Sequence, residues 1–219
     1  MKLELLEILR CPKSNQLLSF VQKENTTQDL DSGFLVSQDN NYKYSVVSGI
    51  PRFVLENNYA DSFGMQWNLY AKTQLDSHTG LNISANRFWK ATGWSKNELK
   101  NKWVLDVGCG SGRFAEIALN AGAKVVALDY SSAVDACKRN FLNHPNLYVV
   151  QGDIYELPFD LDTFSYVYSL GVLQHTPNPK SAFMALPLVL KKEGKICVDY
   201  YEKSLKSMIL PKYWLRPIT

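Results

Sequence analysis

Gly108, Gly110 and Gly112 stand at alternate positions after the short apolar run 103–107, and Asp129 ends a second apolar run about 20 residues further on. Glycine lets a chain turn sharply at positive φ and lets a ligand touch the backbone. Apolar Phe114, Ala115, Ile117, Ala118 and Leu119, closed by Gly122, then predict a helix. Its first turn would aim unpaired N–H groups and a positive dipole end at whatever sits over the glycines. A carboxylate at the tip of the neighbouring strand can accept two hydrogen bonds from ribose hydroxyls. The pattern therefore reads as strand, tight turn, helix and parallel strand with a right-handed crossover, and as a crevice for adenosine.

The kind of adenosine ligand follows from what is missing. A dinucleotide fingerprint needs a third glycine where Arg113 stands, so NAD and FAD are disfavoured, and no Gly-Lys-Ser/Thr phosphate loop occurs. The run Leu105-Asp106-Val107-Gly108-Cys109-Gly110-Ser111-Gly112 resembles the first motif of class I S-adenosylmethionine-dependent methyltransferases. The resemblance implies S-adenosyl-L-methionine as cofactor. Asp106, Gly108, Cys109, Gly110, Ser111, Gly112 and Arg113 would lie under its methionine part, and Asp129, Tyr130 and Ser131 at its ribose. It also implies Asp153 near the adenine amino group, Ile154 on the ring, and Ser169, Leu170 and Gly171 at the end of the fourth strand. The implied fold is α/β: a Rossmann-like, doubly wound, mostly parallel sheet with a small N-terminal α+β module.

Composition sets the bounds. With 219 residues, 46% of them hydrophobic and 21% charged, the chain suits one full domain plus a small one. A net charge of +3 is too slight to argue for nucleic acid, which usually shows as a concentrated basic face, and none is expected. Cys11, Cys109, Cys137 and Cys197 form no Cys-x-x-Cys pair and read as reduced thiols of a cytosolic protein. Glu4 and Glu7 interrupt the apolar start, so no secretory leader is expected, nor any membrane span.

Three regions must position the site. Residues 1–56 predict a helix over 3–10, strands at 17–21, 34–37 and 42–47, a turn at 48–51 and a last strand at 53–55. Leu5-Leu6-Glu7-Ile8-Leu9-Arg10-Cys11-Pro12 and Tyr44-Ser45-Val46-Val47-Ser48-Gly49-Ile50-Pro51 resemble a small zinc-ribbon-type domain found before some bacterial methyltransferases. Ser14 replaces its second cysteine and the later pair is missing, so no metal is expected. Residues 57–101 read as a helical lid or linker. Phe63, Trp67 and Tyr70 share one helical face, which on spacing alone means core packing. A similar Phe-Gly-x-Gln-Trp segment precedes the nucleotide-binding fold in resembling sugar- and cell-surface-type enzymes, which makes Gln66, Trp67 and Arg87 candidate lid or substrate contacts. Gly93 stops a helix begun near Ser84, and Ser95-Lys96-Asn97-Glu98 is a capping box.

Residues 102–219 form the expected cofactor domain. A helix capped by Ser131-Ser132 runs to about 141, with strands at 147–150, about 162–171 and 195–201. Asn178-Pro179 starts a helix that Pro187 should kink, and Glu193-Gly194 turns into the fifth strand. Only residues 204–219 follow, so the fold reads as truncated after strand five, with an uncovered edge open to pairing.

Methyl transfer needs the acceptor held in line and dry, and a base only where the acceptor must lose a proton. His175 is the histidine beside the predicted crevice, either as that base or as a loop residue bonded to backbone, with Gln174 next to it as a substrate contact. Ser-Leu-Gly replaces the Asn/Asp-Pro-Pro-Tyr/Phe often carried by base and amide N-methyltransferases, which disfavours adenine modification and favours a small-molecule acceptor by oxygen, nitrogen or carbon transfer. The resemblance implies a sugar or cell-envelope precursor. The alternative reading is a non-catalytic cofactor-binding or partner module.

Overall fold

The structure, a computed structural model, describes residues 1–23, 30–54 and 60–200. Five strands rich in Val, Leu, Ile and Tyr make its centre: β5 (Trp103–Val107), β6 (Lys124–Asp129), β7 (Leu147–Gln151), β8 (Phe164–Ser169) and β9 (Leu190–Val198), all parallel. β7 is buried along its whole length and β5 at all but its first residue, as strands covered on both faces must be. Their spatial order is β7-β6-β5-β8-β9. The chain winds outward from β5 to β7 and then returns to β8, so its direction reverses between β5 and β8. Ligand crevices form beyond the carboxyl ends of strands at such a switch point.

The leading residues extend the same sheet. α1 (Leu3–Ile8) buries Leu5, and Leu9 follows it into the core. β1 (Leu18–Gln22), β2 (Ser32–Ser37), β3 (Lys43–Val47) and β4 (Ile50–Arg52) form an antiparallel meander. β4 then pairs in parallel with β7 through Arg52 and Gln151, giving nine strands in one sheet. Leu5, Leu9, Leu35 and Val46 share a core with Leu105, Val107, Leu128 and Val150.

Two expectations change here. The turn expected at 48–51 takes only two residues, because Ser48 (φ 51°) and Gly49 (φ 66°) both adopt the left-handed conformation of a tight hairpin. Ile50-Pro51-Arg52 is therefore already strand, and the strand expected at 53–55 is absent from Phe53 and Val54, Leu55 lying outside the described residues. Cys11 is buried with its thiol 3.3 Å from the Tyr44 hydroxyl, and among the described residues no three His, Cys, Asp or Glu side chains gather as a metal site.

α2 (Asp61–Leu69), α3 (Asp76–Thr79), α4 (Ile83–Thr92) and α5 (Lys96–Leu99) precede the central strands. The Ser95 capping box forms as expected, and Gly93 ends α4. α6 (Ala115–Asn120) and α7 (Ala133–Asn140) are the crossovers on either side of β6. After β8, Asn178 accepts the Ser181 N–H at the start of α8 (Pro179–Ala185), and Pro187 ends that helix in a 3-10 turn rather than kinking it. β9 begins at Leu190, five residues before the expected start. Glu193 (φ 66°) and Gly194 form an irregularity inside it, with Phe164 opposite Leu190 and Tyr166 opposite Lys195. β9 is one edge of the sheet among the described residues, β1 being the other, and the tail expected at 204–219 lies outside them. No helix of the described residues is long and apolar enough to cross a membrane.

Candidate functional site

A crevice of about 300 Å³ opens over the carboxyl ends of β5, β6, β7 and β8. Its floor is the glycine turn. The N–H groups of Gly108 and Cys109 donate to the Leu128 carbonyl at 2.7 and 3.0 Å, which fastens the turn to β6. Gly108 has φ 79°, and a Cβ there would stand 2.5 Å from Val172 Cγ2, so only glycine lets the loop after β8 come this close. The Gly110 N–H donates to Asp129 Oδ2 at 2.8 Å. Asp129 Oδ1 accepts from the Ser131 N–H (2.9 Å) and hydroxyl (2.7 Å). Burial outweighs these bonds and raises the Asp129 carboxyl above its ordinary range.

The other strand tips complete the walls. Asp153 and Ile154 follow β7 into the crevice, with Asp153 Oδ1 accepting the Tyr155 N–H and burial raising its carboxyl. Leu170, Gly171 and His175 enter from the loop after β8, along with Val172 and Thr176 of the same loop, to which no individual role was assigned from the sequence. Cys109, Gly110, Ser111, Arg113, Tyr130 and Ser131 line the same space.

The helices at 61–99 form its cover. α2 is not core: Phe63, Met65, Leu69 and Tyr70 are exposed. The expected aromatic face instead divides. Trp67 stands above the glycine turn, its Nε1 3.3 Å from where a Gly110 Cβ would be, and the Phe63 ring lies 5.9 Å from that of His175. Side chains lash this cover down. Glu116, buried on α6, accepts the N–H groups of Asp76 (2.8 Å) and Ser77 (3.3 Å) at the start of α3. Asp76 in turn accepts the N–H groups of Ser84 and Ala85 at the start of α4, at 2.9 and 2.8 Å. Arg113, at the place of the missing third glycine, donates to Ser84 Oγ (2.9 Å) and Gln74 Oε1 (3.2 Å). Arg87 lines the crevice and pairs with Asp199 at 2.6 Å, and Asp199 also accepts the Gly171 N–H.

Five expected contacts lie off the crevice. Gly112 (φ 95°) faces α7 instead, where a Cβ would meet Phe141 Cε2 at 2.5 Å. Ser169 turns its hydroxyl to the Val107 carbonyl at 2.9 Å, since a side chain inside β8 points to a face of the sheet and not past its end. Gln66 projects to solvent from the outer side of α2. The Gln174 amide is buried and does not line the crevice, and neither of its atoms has a partner among the described residues. Asp106 lies beneath the turn, its carboxylate facing the buried Tyr168 hydroxyl, and burial outweighs that contact and pushes its carboxyl up to about 8. Ser111 Oγ is also buried without a partner, but at the crevice wall.

Residues 105–198 match the family model described as a methyltransferase domain. The chain is 33% identical over 120 residues to the tRNA U34 carboxymethyltransferase of Pseudomonas fluorescens (strain Pf0-1), covering 51% of this chain and 36% of that protein. It is 39% identical over 106 residues to the protein of the same name from Shewanella baltica (strain OS155), covering 46% and 32%. The chain thus spans about a third of the length of these curated relatives. In fold it is similar to a crystal structure from Methanococcus maripaludis assigned to the S-adenosyl-L-methionine-dependent methyltransferases, with a TM-score of 0.52, 19% identity, and 66% and 65% of the two chains covered.

These relatives correct one expectation. Slight net charge does not argue against nucleic acid when proteins sharing this domain are named for a tRNA activity. Net charge sums over a whole chain and is blind to a local basic face, and the expectation of a small-molecule acceptor without nucleic acid falls with it.

Proposed function

We propose that this chain, whose residues 105–198 match a methyltransferase domain, is a class I S-adenosylmethionine-dependent methyltransferase that transfers the cofactor's methyl group to a tRNA base and leaves S-adenosylhomocysteine. The acceptor class comes from the relatives' names, and the chain's own residues support the cofactor half of the reading.

The crevice suits an adenosine-bearing cofactor. Asp129 lines the crevice with its Oδ2 accepting the Gly110 N–H, and Ser111 Oγ, at the wall, has no partner among the described residues. Gly110 leaves the backbone bare beneath Trp67. In this reading Asp129 holds ribose, Asp153 and Ile154 bracket adenine, and the backbone from Gly108 to Ser111 carries the methionine part. The cofactor supplies a sulfonium-activated carbon. The protein's share is then to orient the acceptor, exclude water under Trp67 and the α3–α4 cover, and, where the acceptor must lose a proton, receive it at the His175 imidazole. A cytoplasmic setting with reduced thiols goes with this activity, and the four cysteines are free.

The observation that carries the reading is the 2.8 Å bond by which the tips of β5 and β6 converge, Gly110 on Asp129, at the floor of the crevice. Calorimetry with S-adenosylhomocysteine and with NADH tests it. The first should bind and the second should not, and Asp129→Ala should weaken binding by about 2 kcal/mol, the loss of charge-assisted hydrogen bonds. Equal affinity of variant and wild type would sink the reading. Transfer of label from S-adenosylmethionine into tRNA tests the acceptor.

A further inference from the structure

Phe63 is 43% exposed, yet it is not one more apolar side chain on an outer helix face. Met65, Leu69 and Tyr70 are exposed on α2 without lining the crevice, whereas Phe63 lines it and leans on the His175 ring at 5.9 Å and 54°. Trp67, one turn further along α2, already covers the glycine turn, so Phe63 projects beyond the cofactor floor toward the loop after β8. That loop brings Val172, His175 and Thr176 into the crevice that Asp129 also lines. A tilted ring pair at a crevice mouth leaves one face of the phenyl open to a second planar group.

We infer that the Phe63 ring is the stacking platform for the acceptor base, a positioning role that rests on the tRNA reading above. A base must leave its own stack to be modified, and an aromatic face replaces the neighbours it gives up. The ring is planar and apolar and carries no hydrogen-bonding group, so it holds a base without choosing among bases. Selection falls to polar groups around it. The tilted His175 ring is the platform's aromatic neighbour within the protein.

The test uses the full chain saturated with S-adenosylhomocysteine and two anticodon stem-loop RNAs, one with uridine at the wobble position and one abasic there. Wild type should bind the uridine RNA more tightly by about ten-fold, the size of one base–aromatic stack. Phe63→Leu keeps the apolar bulk but should erase that difference, Phe63→Trp should preserve it, and affinity for S-adenosylhomocysteine should change little in both. A Phe63→Leu protein that still distinguishes the two RNAs overturns the platform and leaves the tRNA reading intact. A wild type that binds neither RNA overturns the tRNA reading and the platform with it. A loss of S-adenosylhomocysteine binding in Phe63→Leu would assign the ring to the cofactor and also overturn the proposal.

Discussion

The unit from β5 to β6 and the helical cover from α2 to α5 face the same crevice but are held in place by different means. The first is fixed by backbone: the Gly108 and Cys109 amides on the Leu128 carbonyl, and glycines where any side chain would collide. The second is fixed by side chains reaching from one element to another: Glu116 to α3 and Arg113 to Ser84 across about 30 to 40 residues, and Asp76 to the neighbouring α4. Backbone fixation leaves a local signature of residue types and spacing. Side-chain fixation leaves none, because an acid on α6 looks like any other acid until its partners are known.

The largest expected effect comes from the polar groups buried under the backbone-built unit. Below about pH 4 Asp106 is protonated both folded and unfolded. As pH rises from the ordinary value of 3.8, the unfolded chain ionises while the fold keeps its proton, so stability falls until the folded group titrates near 8. The slope is at most about 1.4 kcal/mol per pH unit, on the order of 5 kcal/mol across the window. Asp106→Asn should flatten this decline in urea titrations run across it, and an unchanged slope would place the pH sensitivity elsewhere.

Next, Gly112→Ala combines a left-handed backbone with a methyl 2.5 Å from Phe141, and should cost about 4 kcal/mol by urea unfolding. Glu116→Ala removes the acceptor of two N–H groups and should cost about 2 kcal/mol. Hydrogen exchange should then quicken over residues 76–85 while β5 and β6 keep their protection. If both regions loosen together, the contrast between them is false. The smallest effect is Ser95→Ala in the exposed capping box of α5, about 1 kcal/mol, read as a drop in Tm.

The same contrast explains what the sequence made legible. The glycine turn, Asp129, the capping box at Ser95 and the Asn178-Pro179 helix start all obey rules that act within a few residues, and each stands where its pattern put it. Pro51 misled because it reads as a turn residue, yet the positive φ angles fell on Ser48 and Gly49 and left Pro51 free to begin a strand. Ser169 was legible in position but not in direction, since the last residue of β8 is still bonded within the sheet. The aromatic face of α2 had the right period and the wrong destination: periodicity says which residues share a side, and not whether that side meets core, cofactor or solvent. Val172 and Thr176 could have been found from their place in the loop after the fourth strand. Glu116 carried no signal at all.

Arg52 meets Gln151 not only through β4 and β7 but also by its guanidinium, which reaches the Gln151 amide at 2.7 Å and the Asp135 carboxylate at 2.7 Å. The opening fifty-odd residues are thereby riveted to the strand that leads directly to Asp153. Clipping them away would strip the backbone edge of β7 bare, loosen Asp135 on the helix that abuts Gly112, and bring solvent against Leu105 and Val150. A preparation trimmed to its catalytic-looking half would therefore be a poor surrogate for the whole.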